Sequence, residues 1–361
     1  MSSIKIFLFQ VSAVALLFFG FDFIFTNYFR TPANQESVYR IKNDIFHHSF
    51  LPSFDGIGSW GGKPYRVCTD VNGFKSNCEN IFTSRTSFDI AFIGDSFTEA
   101  IGVPYEDSFV GLFANTNPNL NVANLGVSSY SPTVYRAKIE DFITRGYEFN
   151  HVIVFVDISD IQDESQYFRD SNGNVLQSSD SAVQQGALLT RLKQYVADNF
   201  SLFAHGYRSV KQILIGDVGT SGNGVFALER SEWTYDSSSN AYGKLGVNGS
   251  IEKALLEMTL LHELLDGENI KLSIGVYPWP AQVREMMLNN SDSNLQADIW
   301  RDFCINRCDH FIDMFPRYFD LVKNSSIDDV YKRFFIQGDV HYNREGNQLI
   351  HEALLELNLV E

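Results

Sequence analysis

The chain has 361 residues, of which 44% are hydrophobic, and this is enough apolar material to close a substantial core, so disorder is not the expected state. Its formal net charge at pH 7 is -16, and it contains no run rich in lysine and arginine. A nucleic-acid partner is therefore not expected, because binding a phosphate backbone requires a basic surface.

The first predicted element is a membrane anchor over residues 1–30. The stretch from Ile6 to Phe21 is almost wholly apolar and resumes after Asp22, which is nearly long enough to cross a bilayer. It lacks the small residues that mark a signal-peptidase cleavage site, so we predict an uncleaved single-pass helix. A buried helix of the main domain is the alternative. The flanking basic residues do not favour export, although long domains cross membranes largely regardless of charge. These residues are Lys5 before the run and Arg30, Arg40 and Lys42 after it.

The four cysteines fall into two close pairs, Cys68 with Cys78 and Cys304 with Cys308. An even number behind an export-like segment predicts two local disulfides, an oxidising compartment and hence an extracytoplasmic domain. Neither pair has the spacing of zinc ligands, so the cysteines predict no metal site. Free buried thiols are the alternative.

Residues 31–87 are rich in Gly, Asn, Ser and aromatic side chains, and this pattern predicts an irregular lead-in with a short strand at 65–67. From residue 88 to 361, short apolar runs alternate with amphipathic segments, which predicts an α/β domain whose parallel sheet is covered on both faces. Residues of about 162–249, with a helical piece near 188–203, exceed an ordinary connection and predict an inserted cap or partner surface. The five predicted strands lie at 90–93, 122–125, 152–156, 272–277 and 311–314, and the clearest helices at 133–147, 251–265 and from about 344.

A possible nucleophile follows the first predicted strand. Gly94-Asp95-Ser96 places a serine at the carboxyl end of that strand, where open parallel sheets bind ligands. A serine hydroxyl needs a base to remove its proton, and His341, just before the last helix, is the candidate. Asp339, two residues earlier, is placed to fix the imidazole tautomer. Alone, Asp95-Ser96 could be a helix cap and His341 a surface histidine, but in this order they predict a Ser-His-Asp site.

Two backbone groups are expected to stabilise the oxyanion of the tetrahedral intermediate. One is the N–H of Ser96 at the start of the following helix, and the other is the N–H of Gly126 after the second strand. A glycine there permits close backbone approach to a substrate, although glycine is also common in ordinary strand-to-helix turns.

These three blocks, Gly94-Asp95-Ser96, Gly126 and Asp339/His341, resemble those of the SGNH/GDSL hydrolase superfamily over about residues 90–354. The resemblance implies a flavodoxin-like three-layer α/β/α sandwich and ester chemistry on acylated substrates, with no cofactor. The family's third block, usually Gly-x-Asn-Asp, reads Asp157-Ile158-Ser159-Asp160 here, so Ser159 stands where the oxyanion-binding asparagine is expected. Its hydroxyl is a poorer oxyanion donor than an amide. The Asp-x-His spacing at the C-terminus is one associated with members that modify extracellular polysaccharides.

Four further side chains are expected to contact the substrate: Asp95, Asp157, Asp160 and Trp279. Trp279 lies in a Tyr-Pro-Trp-Pro segment after the fourth strand, where aromatic rings can hold a sugar face or an acyl chain, and a rigid packed loop is the alternative. The pairs His262-Glu263 and His351-Glu352 lack the second histidine of a zinc protease helix, and no phosphate-binding loop is present. Metal and nucleotide chemistry are therefore not expected.

The sequence thus predicts a membrane-anchored serine esterase that hydrolyses acyl esters, acetyl esters above all, on carbohydrate or lipid substrates. An O-acyltransferase of cell-surface polysaccharide would use the same residues and is the first alternative. A non-catalytic binding or assembly protein that keeps the fold is the second, because the third block is altered.

Overall fold

The computed structural model describes residues 3–29, 36–60, 63–178, 240–292, 294–357 and 359, and short pieces at 195–196, 199–200, 202–203, 206–207, 224–226 and 229–234. The chain divides into two compact units, residues 1–33 with 179–219 and residues 34–178 with 220–361. Most of the helical piece predicted near 188–203 lies outside the described residues.

The first unit contains the apolar N-terminal helix. Among the residues that the structure describes, one stretch is long and apolar enough to cross a membrane, Lys5–Tyr28, by length and composition alone. Its acidic residue, Asp22, is buried and accepts hydrogen bonds from the backbone N–H groups of Leu202 at 3.0 Å and Phe203 at 2.8 Å. A buried carboxylate is costly unless hydrogen-bonded, so these bonds explain how an apolar helix carries one. The elements here are helix α1, Ser3–Ile24, and the π-helical turn that continues it, Phe25–Phe29.

The lead-in contains more regular structure than the sequence predicts. Two antiparallel hairpins, β1 with β2 and β3 with β4, follow a short helix, and all of these elements belong to the second unit. The strands are only four to six residues long and do not alternate polar and apolar side chains, so no period-2 pattern marks them. The elements are α2 Glu36–Tyr39, β1 Arg40–Asn43, β2 His47–Phe50, β3 Asp55–Trp60 and β4 Lys63–Cys68.

A five-stranded parallel sheet forms the centre of the second unit, and each of the five strands predicted from the sequence lies in it. The remaining strands of the chain are β5 Ser87–Gly94, β6 Val122–Asn124, β7 Glu148–Val156, β8 Tyr167–Arg169, β9 Val175–Gln177, β10 Lys271–Val276 and β11 His310–Asp313. The sheet order is β11-β10-β7-β5-β6, while β8 and β9 form a separate antiparallel pair. Because β5 lies between β6 and β7, the chain reverses direction across the sheet at β5, and open α/β sheets bind ligands at such a point.

Helices flank this sheet and give a three-layer α/β/α architecture. The connections from β5 to β6 and from β6 to β7 run in opposite directions, so right-handed crossovers place their helices on opposite faces. The helices are α3 Ser96–Glu99, α4 Phe109–Thr116, α5 Pro132–Thr144, α6 Asp160–Glu164, α7 Gly246–Gly267, α8 Pro280–Asn289, α9 Leu295–Cys304, α10 Phe315–Lys323, α11 Ile327–Phe334 and α12 Arg344–Leu355. Short 3-10 turns lie at Cys78–Asn80, Tyr105–Asp107, Gly224–Phe226, Glu229–Thr234 and Asn240–Leu245.

Both expected cysteine pairs are disulfide-bonded in the structure. Cys68, at the end of β4, is joined to Cys78, ten residues away, and Cys304, at the end of α9, to Cys308, four residues away. Each bridge therefore closes a short local loop.

Candidate active site

Ser96 lies where β5 ends and α3 begins, at the carboxyl edge of the sheet. Asp95 caps the short helix, since its side chain accepts from the backbone N–H of Phe97 at 2.9 Å. The neighbouring loop after β6 approaches this turn closely, and a Cβ on Gly126 would lie 2.7 Å from the backbone nitrogen of Glu99. Only a glycine therefore permits the two loops to meet directly beside Ser96 and its helix.

Asp339 and His341 lie on the loop between α11 and α12. Gly338 has a φ of +80°, a left-handed conformation that glycine adopts readily and that turns the chain before Asp339. The hydroxyl of Tyr331 accepts from the backbone N–H groups of Gly338 at 2.7 Å and Asp339 at 3.0 Å. The loop is thus held by a side chain from α11, which the sequence analysis did not identify.

The structure brings the hydroxyl, the imidazole and the carboxylate into one hydrogen-bonded line. His341 Nε2 lies 2.8 Å from Ser96 Oγ, across 245 positions of the chain. On its other side, His341 Nδ1 is hydrogen-bonded to Asp339 Oδ1. Because a carboxylate only accepts, Nδ1 carries the proton and Nε2 is left to accept from the serine. This is the arrangement that activates a serine nucleophile.

The environment of Asp339 favours the ionised form of its carboxyl group. Burial by itself raises the pKa of the Asp339 carboxyl, but the hydrogen bonds and charge of His341, with a hydrogen bond from Trp60, outweigh burial and lower that pKa below its ordinary value. An ionised carboxylate is the form that can stabilise an imidazolium.

Two aromatic rings border the imidazole. The ring of Phe97 lies 4.7 Å from that of His341, and the ring of Trp60 meets it edge-on at 5.3 Å with an interplanar angle of 90°. Trp60 Nε1 also donates to Asp339 Oδ2 at 3.0 Å. Trp60 lies in the predicted irregular lead-in, where these contacts were not expected. A tryptophan set among glycines, in Gly58-Ser59-Trp60-Gly61-Gly62, was the one signal available.

Of the three expected oxyanion donors, two already have acceptors. The N–H of Gly126 donates to Asn124 Oδ1 at 3.0 Å. Ser159 donates its backbone N–H to Asp157 Oδ1 at 2.7 Å, and its hydroxyl is also hydrogen-bonded to Asp157. Ser96 is the first residue of α3, and N–H groups in the first turn of a helix have no partner within the helix.

The four expected substrate contacts lie together but are buried. Asp95, Asp157, Asp160 and Trp279 are each no more than 4% exposed. Trp279 Nε1 donates to Asp157 Oδ2 at 2.7 Å, and the hydroxyl of Tyr277 donates to Asp95 Oδ1 at 3.2 Å. In this structure the four side chains thus bond to the site's own residues, and contact with a substrate remains a prediction.

The three aspartates form a buried acidic cluster beside Ser96. Their carboxylate oxygens lie within 4.8 Å of one another, a spacing that a cation could bridge. Burial raises the pKa of all three, and the charge of Asp157 raises the pKa of Asp95 further, as the charges of Asp95 and Asp157 do for Asp160. These shifts favour protons rather than charge on the cluster.

No protein-family model and no curated protein matches this sequence. Solved structures do match it. A lipolytic G-D-S-L family protein from Veillonella parvula DSM 2008 is 14% identical, with 76% of this chain and 99% of that chain covered and a TM-score of 0.39. The acetylxylan esterase Axe2 from Geobacillus stearothermophilus is 12% identical, with 76% and 96% covered and a TM-score of 0.40. The psychrotrophic esterase EstA from Pseudoalteromonas sp. is 11% identical, with 75% and 96% covered and a TM-score of 0.36. Each of these matches covers about three quarters of this chain.

Proposed function

We propose that this protein is a serine ester hydrolase in which Ser96 is the nucleophile, His341 the general base and Asp339 the residue that orients the base. The observation that carries the proposal is the continuous hydrogen-bonded line from Ser96 Oγ through both nitrogens of His341 to Asp339. Each group has the polarity that its role requires, since Nε2 accepts and Nδ1 donates.

The reaction follows from this geometry. Ser96 Oγ attacks the ester carbonyl carbon while its proton moves to His341 Nε2, and the resulting oxyanion lies at the N-terminus of α3. The intermediate collapses, the bond to the alcohol oxygen breaks, and Nε2 returns the proton to that oxygen. Water then attacks the acyl-serine, gives its proton to Nε2 and releases the carboxylic acid, and Ser96 recovers its hydroxyl.

The recessed position of the site supports a short acyl group. Ser96 and His341 are each only 8% exposed, so little of either residue faces solvent. An acetyl group on an exposed sugar or lipid alcohol presents its carbonyl with less bulk than a long acyl chain. We therefore propose acetyl esters of carbohydrates or lipids as the substrate class. The N-terminal helix would hold the protein at a membrane, where it meets these substrates.

The same low exposure also favours the first alternative, acyl transfer. Transfer requires that an alcohol reach the acyl-serine before water does, and a recessed nucleophile limits water. The engaged donors of Gly126 and Ser159 favour the second alternative, a non-catalytic protein, because a poor oxyanion site gives little catalysis.

One experiment separates the three. The full chain in detergent is treated with a fluorophosphonate probe and with an activated acetyl ester, beside Ser96→Ala and the control Ser250→Ala. Ser250 is buried, and its hydroxyl donates to the Gly246 carbonyl within α7. We expect the wild type and the control to be labelled and to release acetate, and Ser96→Ala to do neither. Equal labelling of wild type and Ser96→Ala removes Ser96 as nucleophile, and no labelling of any form supports the non-catalytic alternative. An acetylated oligosaccharide formed at the expense of free acetate, when acceptor glycan is added, identifies a transferase.

A further inference from the structure

Trp60, the last residue of β3, contacts both residues that we propose as base and acid. Its Nε1–H donates to Asp339 Oδ2 at 3.0 Å, and its ring edge meets the His341 ring at 5.3 Å. It lies in the lead-in, 279 positions before Asp339. From this juxtaposition, and resting on the proposed function, we infer that Trp60 is a positioning residue that acts through Asp339 and makes the lead-in part of the active site.

The bond from Trp60 completes the set of donors around the carboxylate. Asp339 Oδ1 accepts from His341 Nδ1 and from the His341 backbone N–H at 2.9 Å. Oδ2 accepts from Trp60. With a donor on each oxygen, the carboxylate cannot rotate about its own axis without losing a bond, so its orientation toward the imidazole is fixed. Without Trp60, Oδ2 loses that donor and the carboxylate gains freedom to turn away from His341.

The strand that carries Trp60 is itself held in place. β3 pairs with β4 along its full length, with Trp60 opposite Lys63, and β4 ends at Cys68, which is bonded to Cys78. Lys75, inside the loop that this disulfide closes, is buried and donates to the backbone carbonyls of Ala100 and Val103, both at 2.9 Å. The hairpin is therefore tied to the segment that directly follows the nucleophile helix.

A second part of the lead-in holds the loop after β6. The His48 ring is hydrogen-bonded through Nε2 to the Ser128 carbonyl at 2.8 Å, and Arg40 forms an ion pair with the buried Glu99. Glu99 in turn accepts from the Ser128 backbone N–H at 2.7 Å. The lead-in thus bonds to the loops that carry the acid, the nucleophile and Gly126, which is the arrangement expected of a structural component of the site.

The competing interpretation is that Trp60 only packs and stabilises the fold. A double-mutant cycle separates the two, because a residue that works through Asp339 loses its effect once Asp339 can no longer serve. Trp60→Phe keeps an aromatic ring and removes the N–H donor. Trp300→Phe is the matched control, since Trp300 is buried against Phe303 and its Nε1 has no acceptor among the described residues.

The experiment measures the rate of fluorophosphonate labelling of the full chain in detergent. We expect Trp60→Phe to slow labelling about tenfold, the change expected from one lost hydrogen bond to a charged group, and Trp300→Phe to leave the rate within twofold. In an Asp339→Ala background, where no side-chain oxygen remains for Trp60 to hold, Trp60→Phe should change the rate by less than about twofold. An equal loss in both backgrounds, or no loss in either, overturns the inference.

A spectroscopic readout decides the inference even if the chain is not labelled at all, an outcome that would instead remove the proposed function. The proton on His341 Nδ1, which is hydrogen-bonded to Asp339, is expected to resonate far downfield in the proton NMR spectrum. We expect Trp60→Phe to shift or broaden this resonance and Trp300→Phe to leave it in place. An unchanged resonance in Trp60→Phe shows that Trp60 does not position the acid.

Discussion

The backbone N–H of Gly126 donates to the side-chain oxygen of Asn124 over 3.0 Å, so the glycine expected to complete an oxyanion site already has an acceptor. Asn124 is buried and its amide nitrogen donates to the Thr98 carbonyl at 2.8 Å, which fixes the direction of its oxygen. In the proposed reaction, the N–H at the start of α3 then carries most of the stabilisation of the oxyanion. We expect a slow enzyme as a result.

Replacing Ser159 tests how the third block contributes. Both donors of Ser159 go to Asp157, so Ser159→Ala removes one bond to Asp157 and no bond to an oxyanion. We expect kcat for acetyl ester hydrolysis to fall by less than about threefold, whereas removal of a true oxyanion donor costs about 100- to 1,000-fold. Steady-state kinetics check this, with thermal unfolding to exclude misfolding. A loss of two orders of magnitude at unchanged stability assigns the hydroxyl to the oxyanion, as the sequence resemblance suggests.

Gly126→Ala should damage the fold around the nucleophile. The new Cβ would lie 2.7 Å from both the Glu99 backbone nitrogen and the Thr98 Cβ, closer than such atoms approach in proteins. Because the backbone of Thr98 and Glu99 cannot move without displacing α3, we expect the free energy of unfolding to fall by about 1–3 kcal/mol. We also expect fluorophosphonate labelling to be lost. The matched control is Gly267→Ala at the end of α7, where a Cβ meets nothing within 4 Å. Thermal unfolding compares the two, and equal stability of both variants would contradict the close approach.

The position of Ser96 could be predicted from the sequence because Ser96 directly follows a parallel strand, and such strands end at the ligand-binding edge of the sheet. His341 follows no strand directly, since α10 and α11 separate its loop from β11. Its pairing with Ser96 was expected from the order of the blocks and their resemblance to the SGNH/GDSL superfamily. The contact of Trp60 with Asp339 has no such rule behind it, since it depends on how one hairpin packs across the edge of the domain. The direction of the Ser159 hydroxyl depends on a side-chain rotamer, which no sequence pattern encodes.

Asp160→Asn should stabilise the protein at high pH. Burial, with the charges of Asp95 and Asp157, raises the pKa of Asp160 well above its ordinary value, so the folded chain favours the protonated form. For an acid with a raised folded pKa, stability is lost as the pH rises from the unfolded pKa, about 4, toward the folded one. Asparagine keeps an oxygen to accept from the Tyr135 hydroxyl and the Asp157 N–H, and it carries no charge.

Thermal unfolding of wild type and Asp160→Asn at pH 8 and pH 5 checks this prediction. We expect the variant to unfold at a higher temperature at pH 8 and the difference to shrink at pH 5, closer to the unfolded pKa, where the raised pKa of Asp160 costs the wild type less stability. Burial lowers the pKa of His48 to about 3 and that of His151 to about 4. Acidification therefore destabilises the wild type and Asp160→Asn equally through these histidines. Only the difference in unfolding temperature between the two proteins is informative. Glu252→Gln, at an exposed position of α7, serves as the control. A variant that is less stable than wild type by the same margin at both pH values would show that Asp160 is ionised.

Removal of the two disulfides should affect stability similarly but activity differently. The Cys68–Cys78 bridge closes a longer loop than Cys304–Cys308, with separations of 10 and 4 residues, so loop-closure entropy gives roughly 3 and 2 kcal/mol respectively. Only the first bridge ends the strand paired with β3 and Trp60. We therefore expect the double Cys→Ala variant of Cys68 and Cys78 to slow fluorophosphonate labelling at a temperature where it is fully folded. The same change at Cys304 and Cys308 should leave the labelling rate unchanged. If both double variants slow labelling in proportion to the stability that they lose, the β3–β4 hairpin does not support the site specifically.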